Sequence, residues 1–163
     1  MLVHVRRIGL IALVFGVALL SGGVRVAAQA NGFMGQWELD RFKSVYEPIN
    51  TAPQKQLLTI ARGDAAGSFR ATTKTWRGEV ASETTYTAAA DGKDYPTTAA
   101  QATVAFKAVN ATTWERTAKL MNAVAELATW TVSADGKLLT IVRDGTDAAG
   151  NNYKSTAYFN KIG

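Results

Sequence analysis

The sequence predicts an all-β protein, an antiparallel up-and-down β-barrel that follows an export signal. Three observations carry this prediction. The chain opens with a short basic head and an apolar run, the rest alternates Thr-, Val-, Tyr- and Trp-rich runs with turns, and no later stretch has the period of a long helix. A β-sandwich fits the same number of strands and is the structural alternative.

Residues 1–30 have the layout of a secretory signal peptide. The apolar run Ile8–Leu20 has 13 residues, fewer than the ~20 that a membrane-spanning helix needs. The segment ends with small residues, and Ala28 and Ala30 form an A-x-A cleavage site. We therefore expect cleavage after Ala30 and a periplasmic or secreted mature protein. A retained membrane anchor is the competing interpretation.

Removal of this signal changes the charge balance. The full chain has 18 Lys and Arg residues against 13 Asp and Glu residues, and residues 1–30 contain three of the basic residues and no acidic one. The expected mature chain has a net charge of only +2, with its charges scattered singly. We therefore expect no nucleic-acid partner and, after signal cleavage, no membrane partner.

The expected mature domain, Asn31–Gly163, contains no cysteine and loses the one histidine, His4, with the signal. This composition excludes Ser-His-Asp and Cys-His catalysis, thiol redox chemistry, Cys/His zinc sites and disulfides. The stretch Asp144 to Asn151 resembles a calcium loop only superficially, because Ala148 stands where a third oxygen ligand is needed. We expect no metal and no cofactor, and a hairpin loop at this stretch.

Turn residues divide the mature domain into about nine or ten short strands. Asp91-Gly92 and Asp135-Gly136 are Asp-Gly pairs of the kind that tight type I′ hairpin turns require. Further turns are expected at "GDAAG", Asn110-Ala111 and "DGTDAAGNN". Closure into a barrel is favoured over an open sheet because closure removes unpaired edges.

Alternation within two runs indicates which residues face the interior. In "ATVAFKAV" and "YKSTAYFN" every second residue falls on one face of the strand. The two sets are Val104, Phe106 and Ala108, and Tyr153, Ser155, Ala157 and Phe159. A single helical turn is expected within Asp40–Pro48, with Asp40 as its cap and Pro48 as its end.

The segments "GQWELD", "FKSVYEP", "YTAAADGKDYP" and "SADGKLLTIVRDGTDAAGN", followed by a terminal "AYF", occur in this order along the mature chain. In this respect the chain resembles a family of small exported bacterial lipocalin-like proteins, over essentially the whole mature domain. The resemblance implies an up-and-down barrel whose lumen holds a small apolar or amphipathic molecule. It also implies that Trp37 plugs the closed end as a structural residue beneath a basic side chain, either Arg143 or Lys161.

Five residues are candidates for the lumen. Trp76, Tyr95 and Trp114 are the aromatic candidates, because ligand cavities favour aromatic walls. Arg70 is in strand register with Trp76, and Arg116 with Trp114, so each arginine would pair with the carboxylate of a fatty-acid-like ligand. The alternatives are core packing for the aromatic residues and a solvated outer face for the arginines.

Three hypotheses about function follow. The first is a carrier or sensor that binds a small apolar or amphipathic molecule in the barrel. The second is a structural or protein-binding module with a filled lumen. The third is an enzyme that depends on carboxylates or tyrosines, with Glu83, Asp94 and Glu115 as its acidic residues. We favour the carrier and expect that the protein is not an enzyme.

The signal peptide generates the first testable prediction. The exported protein is expected to begin at Asn31, because Ala28 and Ala30 fit the small-residue pockets of a signal peptidase. N-terminal sequencing of the exported protein measures this directly. A membrane-bound protein that begins at Met1 would show that the segment is an anchor.

Overall fold

The computed structural model describes residues 31–147 and 149–163. The signal segment 1–30, with its cleavage site at Ala28 and Ala30, lies outside the described residues, and so does Ala148 of the "DGTDAAGN" stretch. In the described ranges, no helix is long and apolar enough to cross a membrane.

The described chain is a meander of antiparallel strands, with two 3₁₀ turns at Asn31–Phe33 and Ile49–Thr51. The strands are β1 (Gly35–Leu39), β2 (Val45–Glu47), β3 (Lys55–Arg62), β4 (Ser68–Arg77), β5 (Val80–Ala89), β6 (Asp91–Pro96), β7 (Ala102–Ala108), β8 (Thr113–Leu120), β9 (Ala123–Val132), β10 (Leu138–Thr146) and β11 (Asn152–Lys161).

The sheet curls into a nearly closed barrel. Its strand order is β5-β4-β3-β1-β11-β10-β9-β8-β7-β6, and every ladder is antiparallel. The two end strands meet at a seam, where the Thr98 N–H donates to the Thr85 carbonyl oxygen at 2.9 Å and Tyr86 forms an isolated bridge with Thr97. The predicted all-β antiparallel barrel is confirmed, and the sandwich alternative is wrong.

β1 and β2 act as one interrupted strand along β11. β1 pairs with the last residues of β11 and β2 with Lys154–Thr156, both antiparallel. The chain bulges out between them in a turn, where an Asp40 carboxylate oxygen accepts the Lys43 N–H at 3.2 Å. The predicted turn capped by Asp40 is present, but helical structure up to Pro48 is wrong, because pairing with β11 extends Val45–Glu47.

The two Asp-Gly pairs have different structures. Asp135-Gly136 lies in the β9–β10 hairpin, where the Gly136 N–H donates to the Ser133 carbonyl oxygen at 2.9 Å, so this hairpin is confirmed. Asp91-Gly92 lies inside β6, at a register shift against β7, so the hairpin predicted there is wrong. The reason is the seam, because β5 pairs along its length with β4 and β6 pairs with β7. The tight turn with two positive φ angles is Met121-Asn122, between β8 and β9.

Inward-facing aromatic side chains fill one end of the barrel. Phe33 stacks on Trp114 with ring centroids 3.9 Å apart, and Phe69 stacks on the same indole at 4.8 Å. Phe106 meets Phe69 edge-on at 5.1 Å. The predicted alternation is confirmed in β7 and β11, since Val104, Phe106, Ser155, Ala157 and Phe159 are all buried. The lumen is therefore packed at this end.

Trp37 lies at the packed end and has no exposed surface. Its indole Nε1–H donates to the Phe33 carbonyl oxygen at 2.9 Å, so its polar atom is satisfied. The Lys161 ammonium lies 4.9 Å from the centre of the Trp37 ring, within the range of a cation–π contact. Lys161 is thus the basic side chain over Trp37, and Arg143 lies elsewhere, in the open half of the barrel.

Truncation of Trp37 tests its structural role. Trp37→Ala is expected to lower the free energy of unfolding by about 3–5 kcal/mol, because it leaves a large cavity in a packed core. Trp76→Ala is the matched control, since Trp76 lies on the outer face of β4. Denaturant unfolding of both variants gives the comparison. Equal, small losses of unfolding free energy in the two variants would contradict the role of Trp37 as a structural plug.

Candidate functional site

The end of the barrel opposite Trp37 is hollow. A cavity of about 620 Å³ lies there, and β11 runs from its wall, at Tyr153 and Ser155, to the Trp37 end at Lys161. This volume is within the range of roughly 300–1,000 Å³ that is usual for small-molecule sites. The lumen is therefore half filled and half open.

Two arginines lie side by side at the boundary between the filled and open halves. Arg116 of β8 and Arg143 of β10 are both in register with Ala128 of β9, the strand between them. Each arginine occupies the next inward-facing position after a buried residue on its strand: Arg116 follows Trp114 on β8, and Arg143 follows Ile141 on β10. The small side chains of Ala128 and of Ser155, which pairs with Arg143, leave room for the two guanidinium groups.

Glu126 is the one acidic side chain that the structure shows in contact with these arginines. Its Oε1 forms an ion pair with Arg116 Nη2 and lies 3.9 Å from Arg143 Nε. Its Oε2 accepts the Tyr153 hydroxyl at 2.6 Å. The three charged side chains are only 11–16% exposed. Two buried cations therefore share one buried anion.

Several buried donors of the cavity wall have no hydrogen-bond partner among the described residues. They are the hydroxyls of Tyr46 and Tyr86, the Nε–H of Arg116 and the Nε1–H of Trp130. A buried polar group without a partner costs about 1–3 kcal/mol. The lining thus holds unused donors beside a surplus positive charge, which is the chemistry of an anion site.

Burial raises the pKa of the Tyr46 hydroxyl, and the positive charge of Arg143 opposes this rise. Burial likewise raises the pKa of Tyr86, against the opposing charge of Arg116. Burial lowers the pKa of both Arg116 and Arg143, but a guanidinium stays protonated in proteins. At neutral pH the tyrosines are therefore neutral donors and the arginines are cations.

The remaining wall combines apolar and polar surface. Leu58, Trp130, Ile141 and Phe159 form an apolar part, and Trp130 carries the Arg116 guanidinium 5.8 Å from its ring centre. Polar wall residues include Gln56, Thr73 and Thr84. Such a cavity suits a molecule that is partly apolar and partly polar.

The entrance is bordered by the segment between β2 and β3. The carbonyl oxygen of Thr51, in the 3₁₀ turn Ile49–Thr51, accepts a hydrogen bond at 3.1 Å from Arg77 Nη2 at the end of β4. The Gln54 N–H donates to the Trp76 carbonyl oxygen at 2.9 Å. These bonds hold the segment against β4 and so fix one rim of the cavity.

Of the five lumen candidates from sequence, Arg116 lines the cavity. The structure contradicts the placement of Arg70 and Trp76, which lie on the outer face of β4 because Phe69 and Ala71 take the inward positions. Arg70 is exposed, and the ammonium groups of Lys55 and Lys74 lie 5.7 and 5.3 Å from the centre of the Trp76 ring.

Trp114 and Tyr95 do not line the cavity either. Trp114 faces inward but is buried in the aromatic cluster with Phe33 and Phe69, below the arginines. Tyr95 is partly buried against the core, and its hydroxyl donates to an Asp91 carboxylate oxygen at 3.0 Å near the seam. Core packing is therefore the better description of Trp114.

Most of the polar lining is absent from the lumen candidates predicted from sequence: Tyr46, Tyr86 and Glu126 are not among them, Tyr153 is predicted only to face inward, and Arg143 only to cover Trp37. The usable signal was register. Glu126 lies on the same strand face as Ala128 and Trp130, and Arg143 lies on the same face as Leu139 and Ile141. Each is therefore a charged residue on an otherwise apolar face. A charged residue in an inward position indicates a polar site in the interior.

The overall fold is similar to that of a solved structure, the zebrafish ileal bile acid-binding protein complexed with cholic acid. The TM-score is 0.50 at 13% sequence identity, and the match covers 80% of this chain and 99% of that chain. At this identity the likeness shows the fold alone, which is an antiparallel β-barrel. No protein-family model matches the sequence, and no curated protein sequence matches it either.

The shared carboxylate makes the site sensitive to the loss of Glu126. Glu126→Ala is expected to lower the free energy of unfolding by about 3–5 kcal/mol, because it leaves two buried guanidinium groups without a counter-ion. Asp144→Ala is the control, since its ion pair with Lys154 is more than 60% exposed on both sides and should contribute little. Thermal unfolding of both variants measures the difference, and a similar small shift for each would show that Glu126 is not the required counter-ion.

Proposed function

We propose that this protein is a non-catalytic carrier or sensor that binds a small amphipathic molecule with an anionic group in its barrel cavity. The observation that carries the proposal is the pair of buried arginines, Arg116 and Arg143, that share the single carboxylate of Glu126. A buried surplus cation is stabilised by an anion that enters the cavity.

The lining indicates how such a molecule would lie. Its anionic group would accept hydrogen bonds from Arg143 and from the free hydroxyls of Tyr46 and Tyr86. Its apolar part would cover Trp130 and Ile141, where burial contributes about 25 cal/mol per Å² of apolar surface. The zebrafish protein of similar fold is complexed with cholic acid, which is itself an amphipathic acid.

Two further features support binding rather than catalysis. The raised pKa of Tyr46 and Tyr86 disfavours the tyrosinate forms that a tyrosine-dependent enzyme would use. Glu83, Asp94 and Glu115, the acidic residues considered for catalysis, are exposed and do not line the cavity. The open cavity also favours the carrier over a structural barrel with a filled lumen.

We also propose that the protein acts outside the cytoplasm, in the periplasm or after secretion, as a member of an exported lipocalin-like family. The basis is the signal-like layout of residues 1–30 and the order of the sequence segments that resemble that family. The fold of the exported protein would not depend on disulfides, because the chain has no cysteine.

Binding of matched ligands tests the proposal. Displacement of an environment-sensitive apolar fluorophore by a carboxylic acid and by the alcohol of the same skeleton is measured by fluorescence. The acid is expected to bind about tenfold more tightly or better, because a hydrogen bond to a charged group is worth ~1.5–3 kcal/mol. Arg143→Met should abolish this preference, whereas Arg70→Met, on the outer face, should keep it.

Two results would contradict the proposal. Absence of saturable binding for any apolar or amphipathic probe would overturn the carrier and favour a structural barrel. Equal binding of the acid and the alcohol would overturn the anionic part of the proposal. Circular dichroism of each variant checks that the barrel is intact.

A further inference from the structure

We infer that Glu126 determines the charge selectivity of the cavity, restricting it to ligands that carry one negative charge. The inference rests on the proposed function, and it names the ligand class more narrowly: a monocarboxylate rather than a dicarboxylate or an uncharged molecule. Glu126 is assigned a role in specificity, separate from its contribution to stability.

The geometry divides the two arginines unequally. Glu126 forms its close ion pair with Arg116 Nη2, whereas its contact with Arg143 runs through Nε alone at 3.9 Å. That distance is beyond a hydrogen bond. One guanidinium is therefore neutralised by the protein, and the charge of Arg143 is left for a ligand.

Glu126 is held in this position from a second side. Its other carboxylate oxygen accepts the Tyr153 hydroxyl at 2.6 Å, and Tyr153 lies on β11, two residues before Ser155. An entering anion would have to replace both the Arg116 pair and the Tyr153 hydrogen bond to displace Glu126. Glu126 therefore remains in place as a fixed negative charge.

The other charged groups that border the cavity do not alter this balance. Arg77 and Asp147 lie at the entrance, carry opposite charges and are exposed to solvent. Solvent and salt screen such charges strongly. Tyr46, Tyr86 and Tyr153 are neutral donors, because burial raises the pKa of each. The buried net charge is thus +1.

This buried charge favours one kind of ligand. A monoanion brings the buried charge to zero, whereas a dianion leaves an excess negative charge and places one carboxylate near that of Glu126. An uncharged ligand leaves Arg143 uncompensated. Discrimination of this kind comes from the repulsive element as well as from the attractive one. Glu126 is that repulsive element.

The experiment compares a monocarboxylic and a dicarboxylic acid of equal chain length by isothermal titration calorimetry. The wild-type protein is expected to prefer the monoacid. Glu126→Gln removes the charge but keeps one amide oxygen that can accept from Arg116, and its NH2 group can donate to the Tyr153 hydroxyl oxygen. This variant should shift the affinity ratio toward the diacid by about tenfold or more. Glu115→Gln, an equal change of charge on the exposed face of β8, should leave the ratio unchanged.

A second variant reverses the effect. Glu126→Gln combined with Arg116→Gln returns the buried charge to +1 on Arg143, so the preference for the monoacid should return. Thermal unfolding checks that both variants fold. If Glu126→Gln does not fold, the wild-type comparison still decides, since a diacid that binds as tightly as the monoacid overturns the inference.

The outcomes separate the inference from the proposed function. If the acids bind the wild-type protein but folded Glu126→Gln keeps the same ratio, the charge selectivity is wrong and the carrier stands. If neither acid binds the wild-type protein or the folded variants, the proposed function fails and the inference fails with it.

Discussion

The ion cluster of Arg116, Arg143 and Glu126 is the constraint on which the open half of the barrel depends. Three charges that are mostly withdrawn from water must be balanced by one another, by hydrogen bonds or by a ligand. The Tyr153 hydroxyl completes the shell of Glu126, and Ala128 leaves the space between the arginines. Contacts within the protein leave one positive charge without a counter-ion, so the cavity has a net positive charge.

The two ends of the barrel differ in how their interiors are filled. At the Trp37 end, stacked and edge-on aromatic rings fill the lumen, and Lys161 covers the plug from above. Burial of this apolar surface contributes most of the stability of a small domain without disulfides. It supports an opposite end that carries unpaired hydroxyls and a surplus cation, features that are unfavourable for folding and that the proposed binding function explains.

The segment that follows the interrupted strand β1–β2 forms one rim of the cavity. Both parts follow β11, but β2 has no ladder to β3, and the chain instead passes through the turn at Ile49–Thr51, beside the end of β4, before β3 begins. The hydrogen bond from Arg77 to Thr51 holds this crossing in place. This part of the rim is therefore made from side-chain and loop contacts.

The sequence by itself determined the class of fold, the alternation of β7 and β11, and the hairpin at Asp135-Gly136, because these follow from local periodicity and turn chemistry. It also pointed to Arg116. Only the tertiary structure decided which face of β4 is outer, which put Arg70 and Trp76 outside, and that Asp91-Gly92 lies at the seam rather than in a hairpin. The cavity itself depends on ladder register, since Arg116, Arg143 and Glu126 are brought together across three strands. No local pattern encodes that register, because long-range pairing sets it.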